Sequence, residues 1–337
     1  MRIRLSDHFT YGKLLRFTLP SIGTMIFTSI YGVVDGFFVS NFAGKTPFAA
    51  VNLIMPVLMI LGTVGFMFGT GGTALVAKTL GTGDRNQANR YFSLFVYTAF
   101  SLGLLLAAAG AIWMRPIAAA LGAEGELLEN CVLYARINLL GLPFFVLQVM
   151  FQSFFVAAEK PHLGLAVTVS SGLTNMVLDA VLVLSLPQAQ KLAGAAIATA
   201  MSQFVGGVVP LFYFFRKNSS LLRLGKTRWD GKAILRACIN GSSEFMSNIS
   251  MSLVGVLYNL QLMAYAGENG IAAYGVMMYV SMIFSATFVG FTVGGAPVIS
   301  YQDGAENYDE LKGLLNKSLI LIGIFGVGMV LSAEVLA

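Results

Sequence analysis

Residues 19–44 read LPSIGTMIFTSIYGVVDGFFVSNFAG, and Asp35 is the one charged side chain among them. A helix crosses the hydrocarbon layer of a membrane with about 20 mostly apolar residues. The apolar run containing this stretch, 14–41, exceeds that length. It is too long for a cleaved signal peptide, and no small-residue cleavage site ends a short apolar core. Closed barrels also satisfy backbone groups in lipid, but the run lacks the period-2 alternation of a barrel strand. The stretch reads as a transmembrane helix that carries an acid inside the membrane.

The rest of the chain repeats the pattern. Of 337 residues, 56% are hydrophobic and 11% charged, against about 25% charged in an average soluble domain. That composition excludes a soluble α/β enzyme, a disulfide scaffold, a disordered tail and a nucleic-acid module. Nine apolar runs stand between charged or turn-rich breaks: 14–41, 48–77, 91–113, 131–157, 163–186, 192–215, 233–266, 271–300 and 314–335. An all-α polytopic membrane protein of about nine transmembrane helices is expected, with the bilayer as its surroundings and no nucleic-acid partner.

Seventeen of the 21 Lys and Arg lie on the side of the N-terminus, while Lys45, Arg115, Arg136 and Lys191 lie on the other. The positive-inside rule therefore places the N-terminus in the cytoplasm, as expected for a plasma-membrane protein of a bacterium or archaeon. Residues 1–16 are mildly amphipathic and are expected to lie along the inner surface. Cys131 and Cys238 fall at opposite membrane faces, so no disulfide is expected. His8 and His162 sit in cytoplasmic segments without a cluster of ligands. No metal centre and no cofactor are expected.

Shifting the sequence by 223 residues aligns it with itself without a gap. Ala43-Gly44, Ala49-Ala50, Met55, Val57, Met59 and Ile60 meet Ala266-Gly267, Ala272-Ala273, Met278, Val280, Met282 and Ile283. Phe68, Gly71-Gly72 and Gly81 meet Phe291, Gly294-Gly295 and Gly304. Spans one and two are thus repeated as spans seven and eight, with an even number of spans between the copies. Both copies then face the same way, a parallel repeat about an axis along the membrane normal, as secondary transporters use. The expected organisation is an N-terminal lobe at 1–215, a cytoplasmic linker loop at 216–232 and a partial C-terminal lobe at 233–337. Two complete six-helix lobes would need twelve spans, so a truncated sequence is expected.

Acids inside spans are functional candidates by default, because a bare carboxylate in lipid costs several kcal/mol. Three qualify, Asp35, Asp179 and Glu244, while Glu334 sits at the very end of the last run. Span one runs outward, which puts Asp35 roughly 9 Å below its outer end, and Asp179 on span five lies roughly 12 Å below its own. Asn175 precedes Asp179 by one turn on the same face. Tyr134 on span four and Thr199 on span six fall in the same layer. Taken singly, Asn175, Tyr134 and Thr199 are equally well explained as interhelical hydrogen-bonding residues. Together they describe a cation or proton site. Two carboxylates in one low-dielectric pocket favour uptake of a proton near neutral pH, and the same oxygens suit Na⁺. Glu244 is a second acidic candidate, set where Asn240-Gly241-Ser242-Ser243 invites a bend towards a wet cavity. Its plainer reading is a buried acid held by Ser243, Ser247 or Asn248.

These residues carry a resemblance. The stretch 19–44 with its acid at Asp35 resembles the opening helix of the multidrug and toxic compound extrusion (MATE) family of cation-coupled exporters. GLPFFVLQVMFQSFFVAAEKP (141–161) followed by TNMVLDAVLV (174–183) resembles its fourth and fifth helices, and GAAIATAMSQ (194–203) its sixth. The resemblance runs through the whole chain and about three-quarters of a family member. It implies two lobes around a central cleft, a monomer, and a coupling site at Asp35, Asn175 and Asp179 with Tyr134 and Thr199 as neighbours. Some members use an acid on the seventh helix, to which Glu244 is similar, although it falls earlier along that helix.

The expected function is a secondary active antiporter, not an enzyme, that exports amphipathic or cationic organic compounds in exchange for H⁺ or Na⁺. Two alternatives stand beside it: a lipid-linked precursor flippase of related architecture, and an inactive truncated fragment. A flippase would line its cleft with Arg or Lys, and within the spans Arg136 is the main basic residue. An intramembrane enzyme would need a catalytic signature that Asp35 and Asp179 lack. Gly69-Thr70-Gly71-Gly72-Thr73 is followed by no phosphate-loop lysine, and Gly65 and Gly69 read as helix-packing positions. Met55, Met59 and Met67, with Met277, Met278 and Met282, suit an adaptable apolar cavity as well as ordinary packing.

Overall fold

The computed structural model describes residues 3–336, apart from the side chains of most positions between 255 and 283 and of 333, 335 and 336. Among the described residues there are nine α-helices and no strand. Helix α1 (Tyr11–Phe38) continues into a π turn at Val39–Ala43. Next come α2 (Lys45–Met67), a π turn at Phe68–Gly72 and α3 (Thr73–Gly81), which together make one rod. Then follow α4 (Arg85–Ala120), α5 (Gly125–Ala157), α6 (Pro161–Ser185), α7 (Lys191–Phe215), α8 (Gly231–Gly304) and α9 (Tyr308–Leu336). The glycine-rich stretch lies inside the α2–α3 rod, where Gly65 abuts the α5 backbone at Val146 and Gly69 that at Met150. It is a packing surface, not a phosphate loop.

Local chemistry sets the helix starts. Thr10, Asp84 and Asp230 each accept a backbone N–H of the first turn, which satisfies one of the donors a helix leaves unpaired there. Pro161 occupies the first turn of α6, where its missing N–H costs nothing. Gly83 and Gly122 take positive φ in the reversals around α4, as glycine does without strain. Helix α5 is the hub of the first lobe, most of it buried against α2, α4 and α7.

Eight helical stretches are apolar and long enough to cross a membrane. The expected seventh run is not among them, since its second half falls largely outside the described residues. It lies in the first part of α8, a helical segment of 74 residues. A straight helix of that length would measure about 110 Å. Yet Ala237 and Gly241 abut Gly71, while Tyr301 and Gly304 abut Gly81 and Lys78. Gly71 and Gly81 are only about 15 Å apart on their rod. The two ends of α8 therefore lie side by side along the α2–α3 rod, as two arms that carry parts of the expected seventh and eighth spans.

The contacts between lobes obey the internal repeat. The 223-residue shift carries Lys78 onto Tyr301 and Gly81 onto Gly304; Gly81 abuts the Tyr301 carbonyl, and Gly304 abuts that of Lys78. The same shift carries Thr18 onto Gly241 and Gly71 onto Gly294; Gly71 abuts Gly241, and Gly294 abuts Thr18. Each contact thus has a mate in which the partners exchange roles, the signature of an isologous interface. A pseudo-two-fold axis thus relates α1 and the α2–α3 rod to the two arms of α8.

Two straps cross this seam at the basic end of the molecule. The linker between α7 and α8 docks on α4: Arg223 N–H donates to Asn89 Oδ1 at 2.8 Å, and Gly225 N–H to Ser93 Oγ at 3.0 Å. Residues 3–10, expected to lie along the surface, form the second strap instead. Leu5 and Phe9 are fully buried in an apolar cluster with Phe17, Phe291 and Leu314. Their backbone holds both lobes. Leu5 N–H donates to Glu159 Oε1 at 2.9 Å, and Gln302 Nε2 donates to the Leu5 carbonyl at 2.9 Å. Phe9 N–H donates to the buried Glu310 at 2.8 Å, and Lys317 Nζ donates to the Phe9 carbonyl. His8 Nδ1 also meets Glu310, and Lys78 pairs with Asp303 at 2.7 Å. The apolar pull of Leu5 and Phe9 explains why this strap leaves the surface. Cys131, near the start of α5, and Cys238, near the start of α8, are both free.

Gly81→Leu is expected to lower the thermal unfolding midpoint by several degrees, since overpacking a close contact costs about 1–3 kcal/mol. Gly32→Ala, at a helical position with nothing within 4 Å of its added Cβ, should leave the midpoint unchanged or raise it. Glu310→Ala would strand the buried Phe9 N–H at a cost of about 1–3 kcal/mol. A midpoint for Glu310→Ala equal to that of the parent chain contradicts the role given to this strap.

Candidate functional site

The first lobe gathers its polar side chains at one place. Asp35 arrives on α1, one turn before the π turn Val39–Ala43. Asn175 and Asp179 share a face of α6 because they are four residues apart. Helix α7 comes close to its neighbours through small residues: Gly194 abuts Leu182, and Gly141 of α5 abuts Ala200. That approach brings in Thr199, while α5 supplies Tyr134. Helix α1 sits down on α6 at Gly172, where a Cβ would fall within 3.0 Å of the Tyr31 ring.

Asp35, Asn175, Asp179 and Tyr134 are all buried, with Tyr134 and Asp179 inaccessible to solvent. Thr199 Oγ1 donates to Asp35 Oδ1 at 3.5 Å, sharing its proton with the Ala195 carbonyl at 3.1 Å. The Asp35 carboxylate also faces the Asp179 and Asn175 side chains. Tyr134 faces Thr199 and the field of both carboxylates. The five residues expected from the sequence to share a layer are thus in one cluster.

The cluster is rich in acceptors and poor in donors. Both oxygens of Asp179, Oδ1 of Asn175 and the Tyr134 hydroxyl are buried with no hydrogen-bond partner among the described residues. Among the described residues no Lys or Arg pairs with Asp35 or Asp179. Burying an unpaired carboxylate costs several kcal/mol. Two chemistries relieve it. A proton on either carboxyl creates the O–H that lets the two aspartates hydrogen-bond to each other. Alternatively, a small hard cation is served by these oxygens, which are the ligand type that Na⁺ and similar ions take.

Three further residues join the cluster that the sequence did not single out. Tyr31 lies one turn below Asp35 and feels its charge. Asn138 is buried one turn beyond Tyr134 and donates to its carbonyl at 3.0 Å. Gln203, one turn beyond Thr199, buries an unpartnered Oε1. Each lies four residues from a chosen position, so the same-face spacing that linked Asn175 to Asp179 would have found them. Asn138, Thr199 and Gln203 also line a small cavity of about 40 Å³ that Met55 and Met59 of α2 close off.

Glu244 is elsewhere. It lines an inter-lobe cavity of about 260 Å³ with Thr70, Thr73, Ser153, Thr292 and Pro297. The backbone there is continuous helix, without the expected bend. Asn248 Nδ2 bonds the Glu244 carbonyl at 2.8 Å and reaches Oε1 at 3.5 Å, whereas Ser243 and Ser247 are exposed. Under the 223-residue shift Glu244 corresponds to Ser21, not to Asp35. The structure does not bring it to the aspartate pair. Of the second methionine group, Met282 is exposed, and the side chains of Met277 and Met278 lie outside the described residues.

Comparison with known proteins bears on what this arrangement belongs to. The MatE family model matches residues 20–181 and 245–337. The multidrug export protein MepA of Staphylococcus haemolyticus is 28% identical over 321 residues, covering 95% of this chain and 70% of that protein. MepA of Staphylococcus aureus strain MRSA252 is 28% identical over 320 residues, with 94% and 70% covered. Among solved structures, a MATE protein in complex with MaL6 superposes with a TM-score of 0.90 at 21% identity, covering 96% of this chain and 72% of that one. A MOP superfamily transporter from Pyrococcus furiosus gives 0.88 at 21% identity, covering 98% and 73%.

Asp179→Asn should keep or raise the thermal midpoint, because it replaces an unpaired buried charge by a neutral group of the same shape that can donate to Asp35. A fall of several degrees in a thermal melt would show that Asp179 is held by partners the geometry does not reveal. Gly172→Val should push α1 off α6 and lower the midpoint, by overpacking worth about 1–3 kcal/mol.

Proposed function

The chain belongs to the MatE family, and from that premise we propose that it is a secondary antiporter that exports amphipathic or cationic organic compounds in exchange for H⁺ or Na⁺. The coupling ion is taken up at Asp35 and Asp179, with Asn175, Thr199 and Tyr134 around it. One observation carries this reading: two carboxylates share a buried cluster in which neither oxygen of Asp179 meets a donor. Such a pair is uncomfortable when fully ionised and alone, so it recruits a positive charge.

The coupling follows from where α1 stands. It packs against α6 in the first lobe and against α8 in the second, so a change at Asp35 acts on a helix shared by both. An ion that favours one position of α1 shifts the balance between lobe arrangements by its differential affinity for them. Exchange arises when the exported compound favours the other arrangement. The basic end of the bundle, with the N-terminus, faces the cytoplasm by the distribution of Lys and Arg.

The test is transport by the reconstituted chain. Proteoliposomes with an imposed proton or sodium gradient are loaded with a fluorescent lipophilic cation, and gradient-driven efflux is followed. Asp35→Asn is expected to reduce coupled efflux at least about tenfold, the loss of roughly 1.4 kcal/mol or more of coupling, while the thermal midpoint stays within a few degrees of the parent. Undiminished efflux in that variant refutes the assignment. A gradient of one ion that drives efflux when the other does not identifies the coupling ion.

A further inference from the structure

One cavity lies away from the aspartate pair. It measures about 530 Å³ and opens at the basic end, between the two straps. Arg4 and Ser6 of the N-terminal strap, Arg85 at the start of α4, Glu159 and Ser220 of the first lobe, and Tyr301 of the second form its walls. We propose that this cavity is a binding site for a phosphate-bearing anion that bridges the two lobes.

Charge and donor geometry point the same way. The Arg85 guanidinium is fixed in place, its Nε donating to the Leu221 carbonyl at 2.9 Å and one terminal nitrogen to the Ser220 carbonyl at 2.8 Å. Three of its five N–H groups remain for another acceptor. The Arg4 guanidinium makes no hydrogen bond to a described residue; only its backbone is engaged, the N–H donating to Asp7 Oδ2 at 3.4 Å and the carbonyl accepting the Asp7 N–H at 3.1 Å. Two guanidinium forks therefore share one cavity, and this planar group matches a phosphoryl oxyanion in bidentate fashion. The one carboxylate in the wall, Glu159, accepts the Leu5 N–H. Lys160, beside it, donates to Ser219 at 3.1 Å. Guanidinium charge thus exceeds carboxylate charge in the lining, and the Ser6 and Tyr301 hydroxyls add neutral donors.

The position gives the anion a consequence. Arg4 rides on the strap that holds both lobes, Arg85 belongs to the first lobe, and Tyr301 is the second-lobe residue against Gly81 at the seam. All of them meet at one cavity only while the basic end is closed. A bound phosphoryl group stabilises that arrangement over one in which the lobes part there, by the difference in its affinity for the two. The chemistry is common to two sources, the headgroup of an anionic phospholipid and a soluble phosphate compound.

Thermal unfolding in nanodiscs separates the sources and tests the site. In phosphatidylcholine discs, millimolar inorganic phosphate is added; in parallel, discs are made with about one-third phosphatidylglycerol and no phosphate. We expect one of these to raise the midpoint by about 3 °C or more, as a ligand well above its Kd does. Phosphate acting alone marks a soluble ligand, and phosphatidylglycerol acting alone marks the lipid. Arg4→Gln should melt like the parent in phosphatidylcholine yet lose the ligand-induced shift, while Arg4→Lys keeps part of it. Asp35→Asn, which disables the proposed ion site, should retain the full shift, so failure of that site and of this one are distinguishable. The proposal is overturned if neither probe stabilises the parent chain, or if Arg4→Gln responds as the parent does.

Discussion

Two carboxylates buried together with too few donors are the constraint around which the first lobe is arranged. The hydrophobic matrix that surrounds Asp35 and Asp179 supplies no Lys or Arg partner among the described residues. Thr199 reaches Asp35 at 3.5 Å, and the Asn175 and Asp179 side chains face it. In a soluble core such an arrangement would be a defect to be replaced by apolar groups. Within a membrane bundle it has a use, because the cost of the bare charges is relieved only while a proton or cation is present. On the proposed function, that energetic penalty is what draws the coupling ion in.

The second organising feature is symmetry. Close glycine contacts come in pairs with exchanged partners, Gly81 with Tyr301 and Gly304 with Lys78, Gly71 with Gly241 and Gly294 with Thr18. Small residues allow such approach between helices in lipid, where apolar surface alone gives little preference for one helix over another. The straps extend the reciprocity, since each segment that leads into one lobe docks on the third helix of the other. Helix α1 touches α6 on one side and α8 on the other. In the proposed exchange it is the element that would carry ion occupancy in one lobe to the seam.

Much of this was legible in the sequence. The helical class, the spans and the repeat follow from run length, hydropathy and self-similarity, which are set by the solvent and do not depend on tertiary detail. The layer of Asp35, Tyr134, Asn175, Asp179 and Thr199 followed from counting 1.5 Å per residue along antiparallel helices. Counting depth does not choose azimuth, so Asn138, Gln203 and Tyr31 were missed although each sits one turn from a chosen residue. Glu244, read as a second candidate separate from that layer, lines the inter-lobe cavity, and Asn248 reaches its carboxylate from the next turn of the same helix. The N-terminal strap was misread because amphipathicity reports a surface without naming it. Leu5 and Phe9 found an apolar seam between lobes in place of lipid.

Infrared spectroscopy of the chain in sodium-free choline buffer at neutral pH tests the central claim most directly, by observing the C=O stretch that only a protonated carboxyl gives. The account predicts such a band in the parent chain, its loss in Asp179→Asn and Asp35→Asn, and its displacement by Na⁺ if sodium is the coupling ion. A parent spectrum without that band, in which both aspartates stand ionised with no cation to hold them, would contradict it.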